Sequence, residues 1–293
     1  MNQAARVTQP RPAGVVRVMT LNAWFRPPLA DRAAEIASWI EATGPQVVCL
    51  QEITQAPGQD TTLADQLAAE VPGGWQVAFR GFPARAGGVA GTAVLSRWPI
   101  LASDAIPLAC GDATPKSVLH ARAGELDVFS VHLASAPDAA DLREQQVLTV
   151  TEFVRSRSAD GSPLPPVIAG DFNTTPGSSP VRFLRGEQAL GGQAVFYQDA
   201  WAAAGDGTPG HTWAGRNPHT PPAHLFDARC DYIFAGLPRV PLSWSGGQDA
   251  SGAPAGQVTA AWLACDYPRT GIMASDHYAV VADICWPDVP APD

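Results

Sequence analysis

Short runs of Val, Ile, Leu and aromatic residues recur along the chain, separated by stretches whose apolar residues return every third or fourth position. The first kind predicts strands: "VVRVMTLNAW", "QVVCLQEI", "WQVAFR", "TAVLSRWPI", "SVLHARA", "LDVFSVHL", "PVIAGDFN", "CDYIFAG" and "YAVVADICW". The second kind predicts helices over Ala30–Thr43, Leu63–Val71 and Asp138–Arg157. In the first of these, Leu29, Ala33, Ile36 and Ile40 share one face, and Pro45 lies beyond the end. So many strands imply large sheets. No linker, composition shift or fixed-period repeat divides the chain, so we expect one domain over residues 15–287. A disordered extension at residues 1–14 and a tail at 288–293 would flank it. Residues 81–91 and 245–256, rich in Gly, Pro and Ala, read as loops.

Several strand patterns are broken at one end by a polar residue. Asn22 ends "RVMTLN", Glu52 ends "VVCLQE", His132 ends "DVFSVH", and Asp171 with Asn173 ends "VIAGDFN". In "CDYIFAG" and "SDHYAVVADI" the order reverses, with Asp231, Asp276 and His277 at the beginning. If the two late strands run antiparallel to the others, all of these termini meet on one rim.

Charge narrows what such a rim could meet. The chain has 293 residues and a formal net charge of −9, and no block of Lys or Arg advertises a nonspecific grip on nucleic acid. Nucleic acid stays open as a substrate, because a bound divalent cation offsets local negative charge. The five cysteines are odd in number and form no CxxC pair, so they read as reduced core residues. The start lacks an apolar signal region and no run is long enough to span a membrane, so the expectation is a monomeric, cytoplasmic chain without a transmembrane segment.

The rim itself is rich in oxygen. Glu52, Asp171 and Asp276, with amide oxygens of Asn22 or Asn173, suit Mg²⁺ or Mn²⁺ better than zinc, which prefers His and Cys. Glu52 is the carboxylate hardest to explain as packing, since it follows an apolar run and is costly there unless paired or metal-bound. His132 alone would read as a satisfied core histidine, Asn22 as a strand-end cap, and Asp231 as a partner for Arg229 or a backbone amide.

"TLNAW", "CLQE", "GTAVLSRWPI", "SVHL", "GDFNTTP", "RCDYIF" and "SDHYAV", in that order, resemble the endonuclease/exonuclease/phosphatase superfamily from about Val16 to Ile284. The resemblance implies a four-layered α/β sandwich, two mixed β-sheets packed face to face with helices outside. It also implies a divalent-metal-dependent phosphoesterase that cleaves a phosphodiester by in-line attack of water. Glu52 becomes the principal metal ligand, helped by Asn22 and Asp276. His277 becomes the general base or phosphate partner, and Asp231 the carboxylate that orients it. Asp171 would position or activate the water, Asn173 would donate to a phosphoryl oxygen, and His132 would donate to the transition state or leaving oxygen. Whether Asp171 or His277 takes the proton stays open.

Two further readings compete: a nuclease acting on DNA or RNA, and an inactive phosphate-binding scaffold of the same fold. A scaffold should have lost Glu52, Asp171, Asp276 or His277, and all are present. No GxSxG elbow or P-loop is visible. The segment from Gly210 to Cys230 concentrates His211, Arg216, Asn217, His219 and His224, and is the candidate lining of the substrate pocket. Trp24 is a candidate to flank it. Lys116 and Arg85 read as surface charge.

Overall fold

A computed structural model describes residues 11–26, 29–85, 87–111, 114–158, 164–221, 223, 226–237 and 255–286. Residues 1–10, the 288–293 tail, most of the 245–256 loop and His224 lie outside the described residues. In chain order the first half runs β1 (Val15–Asn22), α1 (Leu29–Thr43), β2 (Val47–Gln55), α2 (Leu63–Glu70), β3 (Gln76–Pro83), β4 (Val89–Ser96), β5 (Ile100–Leu108), β6 (Lys116–Ala123) and β7 (Leu126–His132). Then follow α3 (Ala140–Arg157), β8 (Val167–Asp171), α4 (Ser179–Leu184), β9 (Tyr197–Asp199), α5 (Ala200–Ala204), β10 (Asp231–Gly236), β11 (Val258–Ala264) and β12 (Ala279–Cys285).

The strands form two six-stranded mixed sheets, in the orders β11-β12-β1-β2-β4-β3 and β5-β6-β7-β8-β10-β9. Between them lies an apolar layer of Val16, Val18, Cys49 and Val94 from one sheet and Leu119, Val128, Val167 and Ile233 from the other. On the outside, Ile36, Trp39 and Ile40 of α1 and Leu67 of α2 cover the first sheet. Val147, Val150 and Phe153 of α3 cover the second. The result is the four-layered α/β sandwich. A strand buried on both faces reads as a continuous apolar run, which is why β1, β7 and β8 show no alternation.

Strand direction puts the polar ends together. β1 and β2 are parallel, as are β7 and β8, while β12 runs antiparallel to β1 and β10 antiparallel to β8. The C-terminal ends of four strands and the N-terminal ends of two therefore share one rim.

Several expectations need correction. "TAVLSRWPI" is not one strand: the chain turns at Arg97–Pro99, where Arg97 N–H donates to Gln46 O at 2.9 Å and buried Trp98 lies 5.5 Å from Trp286. Three strands, β5 beyond its first residue, β9 and β11, and two short helices were not foreseen. Residues 81–91 are mostly the β3–β4 hairpin rather than an open loop. Gly14 is tied down, its carbonyl accepting from Trp286 N–H at 2.7 Å. No disulfide joins the five cysteines, but Cys110 and Cys230 are only half-buried. Lys116, expected at the surface, is 1% exposed.

Candidate active site

Each rim residue is turned inward by a local device. Glu52 sits where the β2–β4 register shifts between Leu50 and Ile53, and its φ of 59° lifts it out of the ladder. Its Oε2 accepts from Phe25 N–H at 3.3 Å. Asp171 ends β8 after Gly170, where a Cβ would stand 1.9 Å from the Val131 carbonyl oxygen, so only glycine lets β8 lie this close to β7. Asn173 then turns the chain with φ 49°, a conformation that Asn tolerates better than most residues. The "SDH" turn before β12 is fixed by Ser275, whose hydroxyl donates to the Asn22 carbonyl at 2.6 Å, and by His277 N–H, which donates to the Ser275 hydroxyl at 3.1 Å.

Across the rim the side chains form a buried network. Asp171 accepts from Asn22 Nδ2 at 3.0 Å, from Asn173 N–H at 2.8 Å and from Asn173 Nδ2 at 3.1 Å. Asp231 lies directly opposite Asp171 in the β8–β10 register, and its Oδ2 is 2.9 Å from His277 Nδ1. Its other oxygen is buried without a hydrogen-bond partner. Behind Asp171, His132 Nε2 lies 3.5 Å from Asp171 Oδ2 and 2.9 Å from Lys116 Nζ. Trp213 presents itself edge-on to His277, centroids 5.1 Å apart.

The electrostatics follow from burial among like charges. Burial, reinforced by the Asp231 carboxylate, pushes Asp171 up to about 7. Burial also pushes Asp276 up to about 6, against the pull of His277 and with Glu52 adding to the rise. Burial alone would lower His277, but the Asp231 and Asp171 carboxylates and the Asp231 hydrogen bond outweigh it and hold the imidazole well above its ordinary value. His132 moves the other way, held well below by burial and by Lys116.

These groups border a cavity of about 850 Å³. Asn22, Glu52, Asp171, Asn173, Asp276 and His277 are on its wall. His132 and Asp231 stand behind it. Asn173 already uses its side-chain amide on the Leu133 carbonyl, at 3.0 Å, as well as on Asp171, so donation to a phosphoryl oxygen would require one of these to break. The segment from Gly210 to Cys230 does border this cavity, through Trp213, His219, Phe226 and Cys230, but His211, Arg216 and Asn217 within it do not. Asn217 is buried and clamps the "SDH" turn through Ser275 O at 2.9 Å. Arg216 lies over the Tyr278 ring beside a smaller cavity of about 440 Å³, and His211 stands 3.9 Å from Asp227. The wall is instead completed by Trp24, Phe25, Arg26, Trp213, His219 and Phe226. Of these, Trp24 is marked in the sequence by its closeness to Asn22, and Trp213, His219 and Phe226 lie in the segment before Asp231, whereas Phe25 and Arg26 carry no signal. Buried Arg32, also missed, donates to the carbonyls of Ala23, Trp24, Arg26 and Ala274, and so fixes the loop that carries Trp24 and Phe25.

A hard divalent cation fits the residues present. Glu52 and Asp276 are close enough for mutual repulsion to raise Asp276, and Asn22 Oδ1 beside them accepts a single protein hydrogen bond, from Trp24 N–H, so a lone pair remains. A second group, Asp171, Asp231 and His277, also brings ligand atoms within 4.8 Å of one another. There the imidazole nitrogen facing Asp231 is engaged in a hydrogen bond, so this group reads as a proton-sharing network.

The chain matches the endonuclease/exonuclease/phosphatase family over residues 19–277. It belongs to that family. Solved structures that share the family fold include truncated Caenorhabditis elegans TDP2, with 21% identity, TM-score 0.66, and 92% of this chain and 98% of that one covered. D. rerio TDP2 complexed with single strand DNA product aligns at 20% identity and TM-score 0.65, over 92% of this chain and 98% of that one. A family protein from Beutenbergia cavernae aligns at 23% identity and TM-score 0.64, covering 94% and 72%. No curated protein matches the chain. Family membership supports a phosphoesterase or nuclease in general. No helix among the described residues is long and apolar enough to cross a membrane.

Proposed function

We propose that this chain hydrolyses a phosphodiester with Mg²⁺ or Mn²⁺ held by Glu52, Asp276 and Asn22. The domain is taken as residues 15–287, since β1 and β12 from opposite ends of the chain pair with each other. The observation that carries the reading is a single cavity wall that brings Glu52, Asp276, Asn22, Asp171 and His277 together, with His277 Nδ1 held 2.9 Å from Asp231 and the Asp171 carboxylate held by Asn22 and Asn173. A group near 7 can accept a proton at neutral pH, so Asp171 is the base that takes the proton of the attacking water. His277, kept charged by Asp231, is a donor; with Nδ1 on Asp231, its Nε2–H serves a phosphoryl oxygen. Asn22 and Asn173 hold the Asp171 carboxylate in place. The cation, when bound, supplies positive charge against the charge that develops on the phosphoryl group.

The test is turnover on bis(p-nitrophenyl) phosphate, single- and double-stranded DNA, RNA, sphingomyelin and inositol phosphates, with Mg²⁺ or Mn²⁺ and with EDTA. Turnover of one diester that is lost in EDTA and in Asp171→Asn supports the reading. No turnover, or turnover indifferent to both, overturns it.

A nuclease acting on single strands is the second reading, favoured by the aromatic wall. Phe25 and Phe226 are 37% and 59% exposed, and with Trp24 and Trp213 they give unpaired bases faces to stack on. Single-stranded DNA turned over in preference to the duplex would support it.

A further inference from the structure

Lys116 opens β6 with its side chain buried, and its Nζ stands 2.9 Å from Nε2 of His132, the last residue of the neighbouring strand. An ammonium has three donors and no acceptor. At this separation Nε2 must therefore accept, which leaves the ring neutral with its proton on Nδ1. The same Nε2 is 3.5 Å from Asp171 Oδ2, so without the lysine a proton on Nε2 would point at Asp171. That oxygen already takes Asn22 and Asn173. A third donor from behind would compete with them and draw the carboxylate away from the cavity.

We propose that Lys116 is a positioning residue: it locks His132 in the Nδ1-protonated tautomer and thereby keeps Asp171 facing the cavity, held only by Asn22 and Asn173. Burying an ammonium is costly, and its contact with an imidazole that leads directly to Asp171 gives that cost a use beyond packing. Neither Lys116 nor His132 touches the cavity, so their effect passes through Asp171.

The tautomer can be read without a substrate, by long-range ¹H–¹⁵N NMR of the histidine rings in the full-length protein. His132 should show a protonated Nδ1 and a bare Nε2. A protonated Nε2 in the wild-type protein overturns the proposal, whatever any variant does. In Lys116→Met, which keeps the shape and removes the charge, the proton should move to Nε2. The kinetic arm rests on the phosphodiesterase reading. Lys116→Met should lower kcat about 10- to 100-fold with KM unchanged, the usual cost of losing an orienting partner. In a His132→Ala background it should cost nothing more, because the lysine acts through that ring. Losses that multiply in the double variant, or unchanged kcat in Lys116→Met, overturn the positioning role. A chain that turns over no phosphodiester but shows the expected tautomer would fail the phosphodiesterase reading alone.

Discussion

His277 and His120 each lean on a buried aspartate, at 2.9 Å from Asp231 and 2.8 Å from Asp127. The two contacts are built differently. His120 and Asp127 belong to one hairpin, β6 and β7, and Asp127 also takes Arg122 at 2.9 Å while the His120 ring stacks on Phe129. Its carboxylate is satisfied from both sides, and neither residue borders the 850 Å³ or the 440 Å³ cavity. His277 and Asp231 come from different sheets and are joined only when the sandwich closes. Asp231 keeps an unpartnered oxygen and faces Asp171, and His277 opens onto the cavity. The same pair of side chains is a closed clasp in the hairpin and an incomplete, chargeable unit at the rim. What separates structure from chemistry here is what surrounds the contact.

The strongest way to break that contrast is at the metal. Glu52→Gln keeps shape and loses charge, so it should abolish divalent-cation binding in calorimetry and nearly all turnover. Unchanged Mg²⁺ affinity would remove Glu52 from the ligand set. Next comes the rim pair itself. His277→Ala should lower kcat by about 10²- to 10⁴-fold, Asp231→Asn nearly as much, and the double variant little more. Asp127→Asn and His120→Ala should leave kcat near wild type. If the hairpin variants lose as much activity as the rim variants, the distinction between the two pairs collapses.

Much of this rim was legible in the sequence because a polar residue ending an apolar strand has few reasons to be there. Asn22, Glu52, His132, Asp171 and Asn173 stood out that way, and reversing the order in the two late strands placed Asp231, Asp276 and His277 opposite them. The aromatic wall was legible only in part, through Trp24 and the 210–230 segment that holds Trp213 and Phe226, and no single ring of that segment stood out. Phe25 and Phe226 are ordinary loop residues until the fold brings them to one cavity. Lys116 was misread because a charged residue at a strand's start belongs in water by default, and only the β6–β7 pairing reveals the imidazole beside it. β11 was missed because "VTAAWLA" is rich in alanine, which has weak strand preference, and it is a strand only because β12 offers it a partner.

In stability the contrast should reverse. His120→Ala takes the imidazole from a carboxylate that is 1% exposed, and should cost about 1–3 kcal/mol in denaturant unfolding. An unchanged midpoint would mean that Asp127 is satisfied without the imidazole, which is then incidental.

The smallest expected effect concerns pH, and its sign separates the rim from an ordinary acidic protein. Asp171 and Asp276 are raised from 3.8 to about 7 and about 6, and His277 is raised above 6.5. Each of these groups holds its proton more tightly when folded, so each contributes stability that is lost as pH climbs through its folded value. His132, lowered, works the other way: it stays neutral in the fold while the unfolded chain charges below about 6.5, so it favours the higher pH only up to that point. Asp266 is raised likewise and His219 is lowered like His132, so four raised groups stand against two lowered ones and set the net direction between pH 6 and 8. The metal-free protein should therefore melt at a lower temperature at pH 8 than at pH 6, by about 2–4 °C for each kcal/mol lost. Mg²⁺ or Mn²⁺ binds deprotonated carboxylates, so adding it should restore more stability at pH 8 than at pH 6. His277→Ala should flatten the metal-free slope and His120→Ala should leave it alone. A metal-free protein that grows more stable from pH 6 to 8 would mean that the rim carboxylates are already ionised and paired, and that Asp171 is not poised to take a proton.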